Sequence, residues 1–279
     1  PDFPTGGIIQ GVQGIRDAYE TGHGRVVIRA KTEIEVDDKG RETIVVTEIP
    51  YMVNKKEMLE KIGQMVEDKK IEGIRYMNDE TSREGVRVIF EVKQGANSNV
   101  VLNTLFKYTA LQSSFAINNV ALVGGRPRTL SLKDIIRVFV DFRHEVIVRR
   151  TKFDLDKALK RVHILEGLLK ALDFIDQIIA MIRASKTVAE AKASLMEAFA
   201  FSDAQATAIV EMRLRQLTGL EREKIQAEYD DLEKFIAYCN DVLANPAKQM
   251  EIIKNETIEV KEKYADPRRS EIVLSADEF

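Results

Sequence analysis

The chain has 279 residues, of which 44% are hydrophobic and 31% are charged, and its net charge is −3. This composition supplies apolar material for one large domain or two to three smaller ones, and it excludes a disordered chain. The net charge alone does not indicate a nucleic-acid partner. Because the chain begins with Pro1 rather than Met, we expect it to be trimmed from something longer.

The opening of the chain combines a Pro- and Gly-punctuated stretch, PDFPTGG, with a short helix over residues 14–20 that ends at Gly22. Period-two alternation then predicts a strand over residues 25–36. The turn sequence DDKG joins it to a second strand over residues 41–49, so we predict a hairpin.

Helix and strand patterns continue to alternate after this hairpin. Asn54 predicts the cap of a helix. Strands are predicted over residues 73–77 and 86–92, followed by a further helix and an apolar strand over residues 115–123 that runs into the loop GGRPR. This order predicts an α+β domain.

Strand signals then give way to helical ones. Apolar residues spaced alternately by three and four predict two long helices that form the seam of a coiled coil. Ser131 caps the first helix, and Asn245-Pro246 indicates a kink or a fresh start in the second. Capping patterns at Thr187 and Ser202 predict short helices between the two.

The sequence therefore predicts the α+β fold class, with a long antiparallel coiled coil and a helical knob at its tip. The segments are an α+β domain over 1–130, an outgoing helix over 131–184, the knob over 185–219, a returning helix over 220–264 and a C-terminal segment over 265–279.

Positive charge is concentrated in the middle of the chain. Between Lys93 and Arg150 only three acids oppose nine basic residues, namely Lys93, Lys107, Arg126, Arg128, Lys133, Arg137, Arg143, Arg149 and Arg150. Such asymmetry indicates a region that faces a polyanion. A solvated basic surface without a partner is the alternative interpretation.

Several kinds of site are excluded or unsupported. Cys239 is the single cysteine, so there is no disulfide framework and no cysteine-based metal site, and we expect a buried, inert thiol. The three histidines lack metal-ligand spacing, and no phosphate-binding loop of the GxxxxGK[ST] type occurs. No apolar run or signal peptide indicates a membrane. We therefore expect a cytoplasmic protein with no catalytic and no metal site in this chain.

Five stretches carry a family resemblance over essentially the whole chain. They are PDFPTGGII, GRETIVVTEIPYMVNK, LKDIIRVFVDFRHEVIVRRTKFDLDKA, AQATAIVEMRLRQLTGLEREKI and DPRRSEI. In this order the chain resembles the A subunits of DNA gyrase and topoisomerase IV, the bacterial type IIA topoisomerases. QLTGLE and DPRRSEI favour the gyrase branch, with the decatenating topoisomerase IV as the alternative.

The resemblance implies a name and a role for each segment. Residues 1–130 would be the tower that supports bent double-stranded DNA, and the helix pair would be the coiled coil of the exit gate. The knob would close a homodimer through which one duplex passes. The resemblance also implies that the cleaving tyrosine lies outside this chain and that ATP and magnesium act through the gyrase B subunit, the partner in the full A2B2 enzyme. We therefore expect this chain to be inactive alone.

One dipeptide resembles the arginine–tyrosine pair with which this family cleaves DNA. Arg75-Tyr76 has the arginine–tyrosine order, but it lies on a predicted strand rather than in a helical DNA-reading module. We interpret it as structural.

Candidate contacts follow from charge and capping. Lys55 and Lys56, at a helix N-terminus, are the first candidates for binding the DNA backbone, and Arg126 and Arg128, in the predicted Gly/Pro loop, are the second. The candidates for the dimer interface are small or apolar residues of the knob, namely Ala204, Ala208, Ile209, Met212 and Leu214. The alternatives are a solvated surface for the cations and packing within the knob for the apolar residues.

Two other functions compete with this interpretation. A non-enzymatic coiled-coil protein that tethers DNA would share the helices and the knob, but it does not account for EIPYMVNK or DPRRSEI. An enzyme with an unrecognised site in the α+β domain is disfavoured by the scarcity of clustered ionisable groups.

Overall fold

The computed structural model of the chain describes residues 1–274, which form two compact units. The sheet unit comprises residues 1–139 together with the segment from residue 265 onward, and the helical unit comprises Val140–Tyr264. Each has its own apolar core and is described by itself. Within residues 1–274 we find no helix that combines the length and the apolar character needed to cross a bilayer.

The sheet unit contains short strands separated by helices, which confirms the predicted α+β class. Its strands are β1 (Ile8–Gln10), β2 (His23–Arg29), β3 (Lys31–Val36), β4 (Glu42–Glu48), β5 (Ile74–Asp79), β6 (Val88–Val92), β7 (Gln112–Asn118), β8 (Val120–Val123), β9 (Arg126–Thr129) and β10 (Glu271–Val273). Its helices are α1 (Gln13–Thr21), α2 (Lys55–Glu67) and α3 (Ser98–Tyr108).

The first sheet has the strand order β10–β1–β2–β7. β2 is antiparallel to β1 and β7, whereas β10 pairs parallel to β1, with Glu271 opposite Ile8. Ile15 of α1 packs with the buried Val26 and Ile28 against one face of this sheet. The sequence did not predict β1 or β10, because three residues are too few to show an alternation.

The second sheet is antiparallel throughout, with the order β3–β4–β6–β5. One face carries Ile44 and Phe90, which pack with Ile62 of α2 and Leu105 of α3 in the largest core of the unit. All four side chains are fully buried. Burying each contributes about 1.5–3 kcal/mol, which explains why α2 and α3 stay on this face.

The strand predicted over residues 25–36 is wrong in one respect, because it is two strands. β2 ends at Arg29 and β3 begins at Lys31, and the two belong to different sheets. The buried Ala30 lies between them and its N–H donates to the carbonyl oxygen of Leu111 at 2.8 Å. Alternation reports only which side chains share a face, so it did not detect the change of partner.

The strand predicted over residues 115–123 is also divided. β7 ends at Asn118, and β8 then forms a hairpin with β9. Gly124 and Gly125 form its turn with φ values of 58° and 77°, the left-handed conformations that a two-residue hairpin needs. The GGRPR stretch is therefore a turn and a strand rather than a loop.

The predicted turns and caps of the sheet unit are confirmed. The N–H of Asp37 donates to the carbonyl oxygen of Arg41 at 3.0 Å across the first hairpin. Asn54 Oδ1 accepts from the N–H of Glu57 at 3.1 Å and caps α2. Gly22 is left-handed, with φ of 85°, at the end of α1.

The helices that follow lie mainly in the helical unit. They are α4 (Leu132–Asp173), α5 (Ile175–Ala184), α6 (Val188–Phe199), α7 (Asp203–Val210), a 3₁₀ turn (Leu214–Leu217), α8 (Gly219–Ala244) and α9 (Pro246–Tyr264). The prediction of one helix over residues 131–184 is wrong, because Phe174 (φ −117°, ψ 31°) separates α4 from α5. Its ring contacts Phe199, with centroids 5.5 Å apart, a tertiary contact that the helical period does not report.

Cross-helix ion pairs show that the returning helices run antiparallel to α4. Arg143, early in α4, pairs with Glu256, late in α9, at 2.8 Å. Arg161, late in α4, pairs with Glu228, early in α8, at 2.7 Å. The apolar spacing that predicts the seam includes Leu159, Val162, Leu165 and Ile179. Val162 and Leu165 are buried, but the buried stripe differs at other positions. Leu159 and Ile179 are exposed, whereas Ala158, Ile178 and others are buried.

At the junction of α8 and α9, the buried side-chain amide of Gln249 donates to a backbone carbonyl group. Pro246 begins α9 and has no N–H to donate to the carbonyl of Val242. Gln249 replaces that donor, because its Nε2 lies 2.9 Å from the carbonyl oxygen of Val242. Its Oε1 lies 2.6 Å from Nε2 of His144 on α4. The predicted fresh helix start at Asn245-Pro246 is therefore confirmed.

Gly167 has a packing reason that the sequence does not reveal. A Cβ there would lie 2.7 Å from Cγ of Gln205. Gln205 uses this close approach to donate from Nε2 to the carbonyl oxygen of His163 at 2.7 Å. Gln205 also completes the predicted capping box with Ser202. Its hydrogen bond to His163 therefore joins the N-terminus of α7 to α4.

Candidate functional site

The two ends of the described chain meet in the sheet unit. The carboxylate of Asp2 accepts from the backbone N–H of Ser270 at 2.7 Å and from that of Arg269 at 3.2 Å. The hydrogen bond from Ser270 is the largest cause that lowers the pKa of Asp2, to about 2. The buried Ser270 hydroxyl donates to the carbonyl oxygen of Gly6 at 2.9 Å. PDFPTGG and DPRRSEI therefore form one local structure.

The EIPY stretch joins the same junction. Glu48 Oε1 accepts from the N–H of Gly7 at 3.0 Å, and a Cβ on Gly6 would lie 1.7 Å from that oxygen. Phe3 lies with its ring centroid 5.4 Å from Tyr51 and 5.3 Å from Phe115. Three of the stretches that carry the family resemblance thus hold the first and second sheets together, and their role here is structural.

Lys55 and Lys56 lie at the start of α2, as predicted, but only Lys55 forms a close ion pair. Lys55 Nζ pairs with Oδ2 of Asp79 at 2.9 Å. Burial raises the pKa of Asp79, but hydrogen bonds from Thr81 and Lys55 outweigh this and the net shift is downward. Lys56 is 86% exposed and its closest carboxylate oxygen, on Glu60, is 3.9 Å away. Only Lys56 is therefore free to meet an external anion without losing a close ion pair.

Arg126 and Arg128 lie on β9, in the β8–β9 hairpin. They are opposite Val123 and Ala121, so both point to the same face of the hairpin. Both are exposed, and neither forms an ion pair with any residue of 1–274. The structure therefore places these two cations on a strand, where their spacing is fixed, rather than in a mobile loop.

Two further arginines were missed as candidate contacts by the sequence reasoning. Arg25 and Arg29 alternate on β2 with the buried Val26 and Ile28. They therefore point away from the core of the first sheet, and neither forms an ion pair within the described part of the chain. The signal was present as charged residues at alternate strand positions.

The candidate interface residues of the knob divide by burial. Ile209 is 4% exposed and belongs to the core of the helical unit, and Ala208 and Met212 pack partly against that core. Leu214 is 84% exposed, and Ala204 is also exposed. A single chain thus buries Ile209 by itself, whereas it leaves Leu214 in solvent.

Two other exposed apolar side chains of the helical unit lie in the first turns of helices. Leu220 at the start of α8 and Val188 at the start of α6 are 65% and 67% exposed. Neither was named from the sequence, because helical periodicity does not identify residues in the first turn of a helix.

No constellation typical of catalysis appears in the described chain. Among residues 1–274 no group of three or more His, Cys, Asp and Glu side chains is arranged to hold a metal ion. Arg75 forms an ion pair with Glu91 on the neighbouring strand, and Tyr76 lies beside it on β5. Cys239 is buried, and burial raises the pKa of its thiol, so it is a poor nucleophile.

Residues 1–257 match the family of the A subunits of DNA gyrase and topoisomerase IV. The chain belongs to this family.

Relatives that carry the name of the DNA gyrase A subunit are similar over nearly the whole chain. The protein of Streptococcus pneumoniae is 54% identical over 274 residues, which cover 98% of this chain and 33% of that protein. Those of Clostridium acetobutylicum and Streptococcus pyogenes are 53% and 52% identical, with the same shares of each chain covered. The chain therefore spans about a third of the length of the curated relatives it matches.

Proposed function

We propose that this chain is the tower, coiled-coil and exit-gate part of the A subunit of a type IIA DNA topoisomerase. In that enzyme one duplex passes through a double-strand break in another, at the expense of ATP bound by the B subunit. Membership of the gyrase and topoisomerase IV family supports this proposal. We place DNA cleavage, ATP and magnesium outside this chain, which on its own is inactive.

The gyrase branch is the better supported of the two. Relatives that are 52–54% identical to the chain carry the name of the DNA gyrase A subunit. The decatenating topoisomerase IV remains the alternative, because the family model includes both. Gyrase changes DNA supercoiling, so we propose supercoiling as the process that the whole enzyme controls.

We propose that the sheet unit is the tower and supports double-stranded DNA. Its unpaired cations support this role, because contacts to phosphates fix the position of a duplex without reading its sequence. Of the four residues predicted from the sequence, Arg126, Arg128 and Lys56 are the best placed. Lys55 contributes less, because contact with a phosphate would compete with its ion pair to Asp79.

We propose that α4, α5, α8 and α9 form the coiled-coil arm and that residues 185–219 form the knob at which two copies meet. The observation that carries this proposal is Leu214, which is 84% exposed in the 3₁₀ turn between α7 and α8. An exposed leucine at the turn of a helical hairpin is suited to a self-complementary, two-fold contact. In such a contact each apolar residue occurs once in each copy, so its burial counts twice. Ala204 and the exposed part of Met212 would extend this contact.

The test is Leu214→Glu, followed by sedimentation equilibrium. A charge at a desolvated two-fold contact appears twice, so we expect a cost of at least about 3 kcal/mol, which is a more than hundredfold rise in the dimer Kd. Because Leu214 contributes no buried core contact, the far-ultraviolet circular dichroism should not change. Met212→Glu is a less specific test, because Met212 also packs against the core.

Phe153→Glu is the matched control, since Phe153 is 68% exposed on α4 of the same unit. We expect this variant to remain a dimer. A persistent dimer for Leu214→Glu, or equal weakening by Phe153→Glu, would show that the copies meet elsewhere and would refute the exit gate at the knob.

A further inference from the structure

The first sheet has one covered face and one open face. Val26 and Ile28 point to the core beside α1 and are at most 2% exposed. The alternate residues of β2 and their partners on β7 point the other way. We call these residues the open sheet face, and they are His23, Arg25, Val27, Arg29, Gln112, Ser114, Ala116 and Asn118.

Arg29 is held in place on this face. Its Nε donates to Oε1 of Gln112 at 2.6 Å, and its Cζ lies 4.9 Å from the ring centroid of Phe106. These two contacts fix the guanidinium plane and leave both terminal nitrogens without a carboxylate among residues 1–274. A fixed guanidinium loses little conformational entropy when it binds a phosphate through two parallel hydrogen bonds.

The neighbouring side chains suit the approach of a polar, anionic backbone. Arg25 is exposed and unpaired, and Ser114 and Asn118 are exposed hydrogen-bond donors. Ala116, opposite Arg25, is small enough for close approach. On β10 the same side of the sheet carries Glu271, two strands away from Arg29 and thus about 10 Å distant. The side next to β7 is therefore the more positive.

The second sheet differs in the charges on the face opposite its core. The face opposite its core carries Glu33, Glu35 and Glu91 beside the buried Val45 and Ile89. Arg87 and Arg75 on the same sheet are paired with Glu35 and Glu91, respectively. Cations there are neutralised by carboxylates within the chain, whereas Arg25 and Arg29 are left for an external anion.

We propose that the open sheet face binds the phosphate backbone of duplex DNA. Arg29 contacts one phosphate through its two terminal nitrogens, and Arg25 contacts a second. Ser114 and Asn118 donate hydrogen bonds beside them. This inference rests on the proposed function of the sheet unit as a DNA support and names a surface for it. It adds a surface distinct from α2 and from the β8–β9 hairpin, and its contacts do not depend on base sequence.

The test measures binding of the 279-residue chain to a duplex of about 30 base pairs by fluorescence anisotropy between about 50 and 200 mM salt. Each phosphate contact contributes about 0.9 to the log–log salt slope, so Arg25→Gln combined with Arg29→Gln should reduce its magnitude by about two. Arg25→Gln alone should reduce it by about one. Because Arg25 is exposed and forms no ion pair within the described residues, this single variant keeps the test valid if the double variant folds poorly.

Lys39→Gln combined with Arg83→Gln is the matched control, because both residues are exposed in turns of the second sheet and the change in charge is the same. We expect its slope to equal that of the wild type. If the wild type binds and Arg25→Gln leaves the slope unchanged, the open sheet face is not the site, although the proposed function stands. Equal losses in the control would also refute the site, and no binding by the wild type would refute both proposals.

Discussion

The arginines that join the helices of the helical unit are paired with carboxylates, whereas several arginines on the strands of the sheet unit are not. In the helical unit Arg161 pairs with Glu228, and Arg143 pairs with Glu256 across the two directions of the chain. In the sheet unit several exposed or half-buried arginines form no ion pair within residues 1–274, namely Arg25, Arg29, Arg126 and Arg128. The arginines that join the helices are therefore paired, and those on β2 and β9 are not. Arg75 on β5 is paired with Glu91, so the difference belongs to these strands and not to the whole sheet unit.

This difference separates two kinds of surface. The paired arginines join α4 to α8 and α9. The turn at Leu214 is instead flanked by the exposed Arg213 and Arg215, which form no ion pair within the described residues. Cations without a carboxylate partner create a positive potential that attracts a polyanion. The position of an arginine relative to carboxylates on neighbouring elements, rather than the number of arginines, thus determines whether it is available to an external anion.

The largest expected effect tests whether the apolar residues of the helical unit divide into inner and outer sets. Ile209→Ala removes a side chain that is 4% exposed in the core, so we expect the free energy of unfolding to fall by about 2–5 kcal/mol. Leu214→Ala, at an exposed position, should change it by less than about 0.5 kcal/mol. Urea denaturation followed by circular dichroism, at a protein concentration at which both variants are monomers, measures both. Similar losses in the two variants would mean that the division is wrong.

A smaller effect tests the comparison of the cations directly. Glu256 accepts from Arg150 at 2.6 Å and from Arg143 at 2.8 Å. These partners, Arg150 first, lower the pKa of Glu256. Because the pairs are partly exposed, we expect Glu256→Gln to cost only about 1 kcal/mol of stability.

The matched variant in the sheet unit is Arg126→Gln combined with Arg128→Gln, which removes two cations that form no ion pair within the described residues. We expect no loss of stability beyond about 0.5 kcal/mol, measured by the same denaturation. If this double variant destabilises the chain as much as Glu256→Gln does, the arginines of β9 have a structural role that the comparison denies.

The sequence predicted local features better than it predicted pairings. Caps at Asn54 and Ser202 and the left-handed Gly22 were correct, because each depends on a few adjacent residues. The division of residues 25–36 between two sheets and the break at Phe174 were missed, because both depend on partners distant in sequence. The parallel strand β10 was missed because its three residues are too few to show an alternation.

The candidate sites follow the same rule. Charge and capping correctly placed Lys55 and Lys56 at a helix N-terminus, but they did not reveal the carboxylate of Asp79 beside Lys55. Small and apolar character grouped Ile209 with Leu214, although one lies in the core and the other in solvent. Which side chain is free is a property of tertiary packing, and a one-dimensional pattern does not contain it.

The smallest expected effect concerns the junction at Asp2 in the sheet unit. Backbone N–H groups, and not a cation alone, stabilise the negative charge of Asp2. Its carboxylate accepts from the N–H groups of Ser270 and Arg269, and its pKa is lowered to about 2 from an ordinary value of 3.8. A carboxyl whose pKa is lowered by folding stabilises the fold above its unfolded pKa. It loses that contribution as the pH falls through its folded pKa.

We therefore expect the docking of β10 to weaken between about pH 4 and pH 2, and Asp2→Asn to weaken it at all higher pH values. Hydrogen exchange at the amides of Ser270 and Glu271 measures this, since the N–H of Glu271 donates to the carbonyl oxygen of Gly7 at 3.0 Å. Asp38→Asn is the control, because Asp38 lies in an exposed turn of the same unit and should leave the exchange of these amides unchanged. If exchange at Ser270 is as slow in Asp2→Asn as in the wild type near neutral pH, backbone pairing with β1 holds the strand without Asp2, and the charge of Asp2 is incidental to the junction.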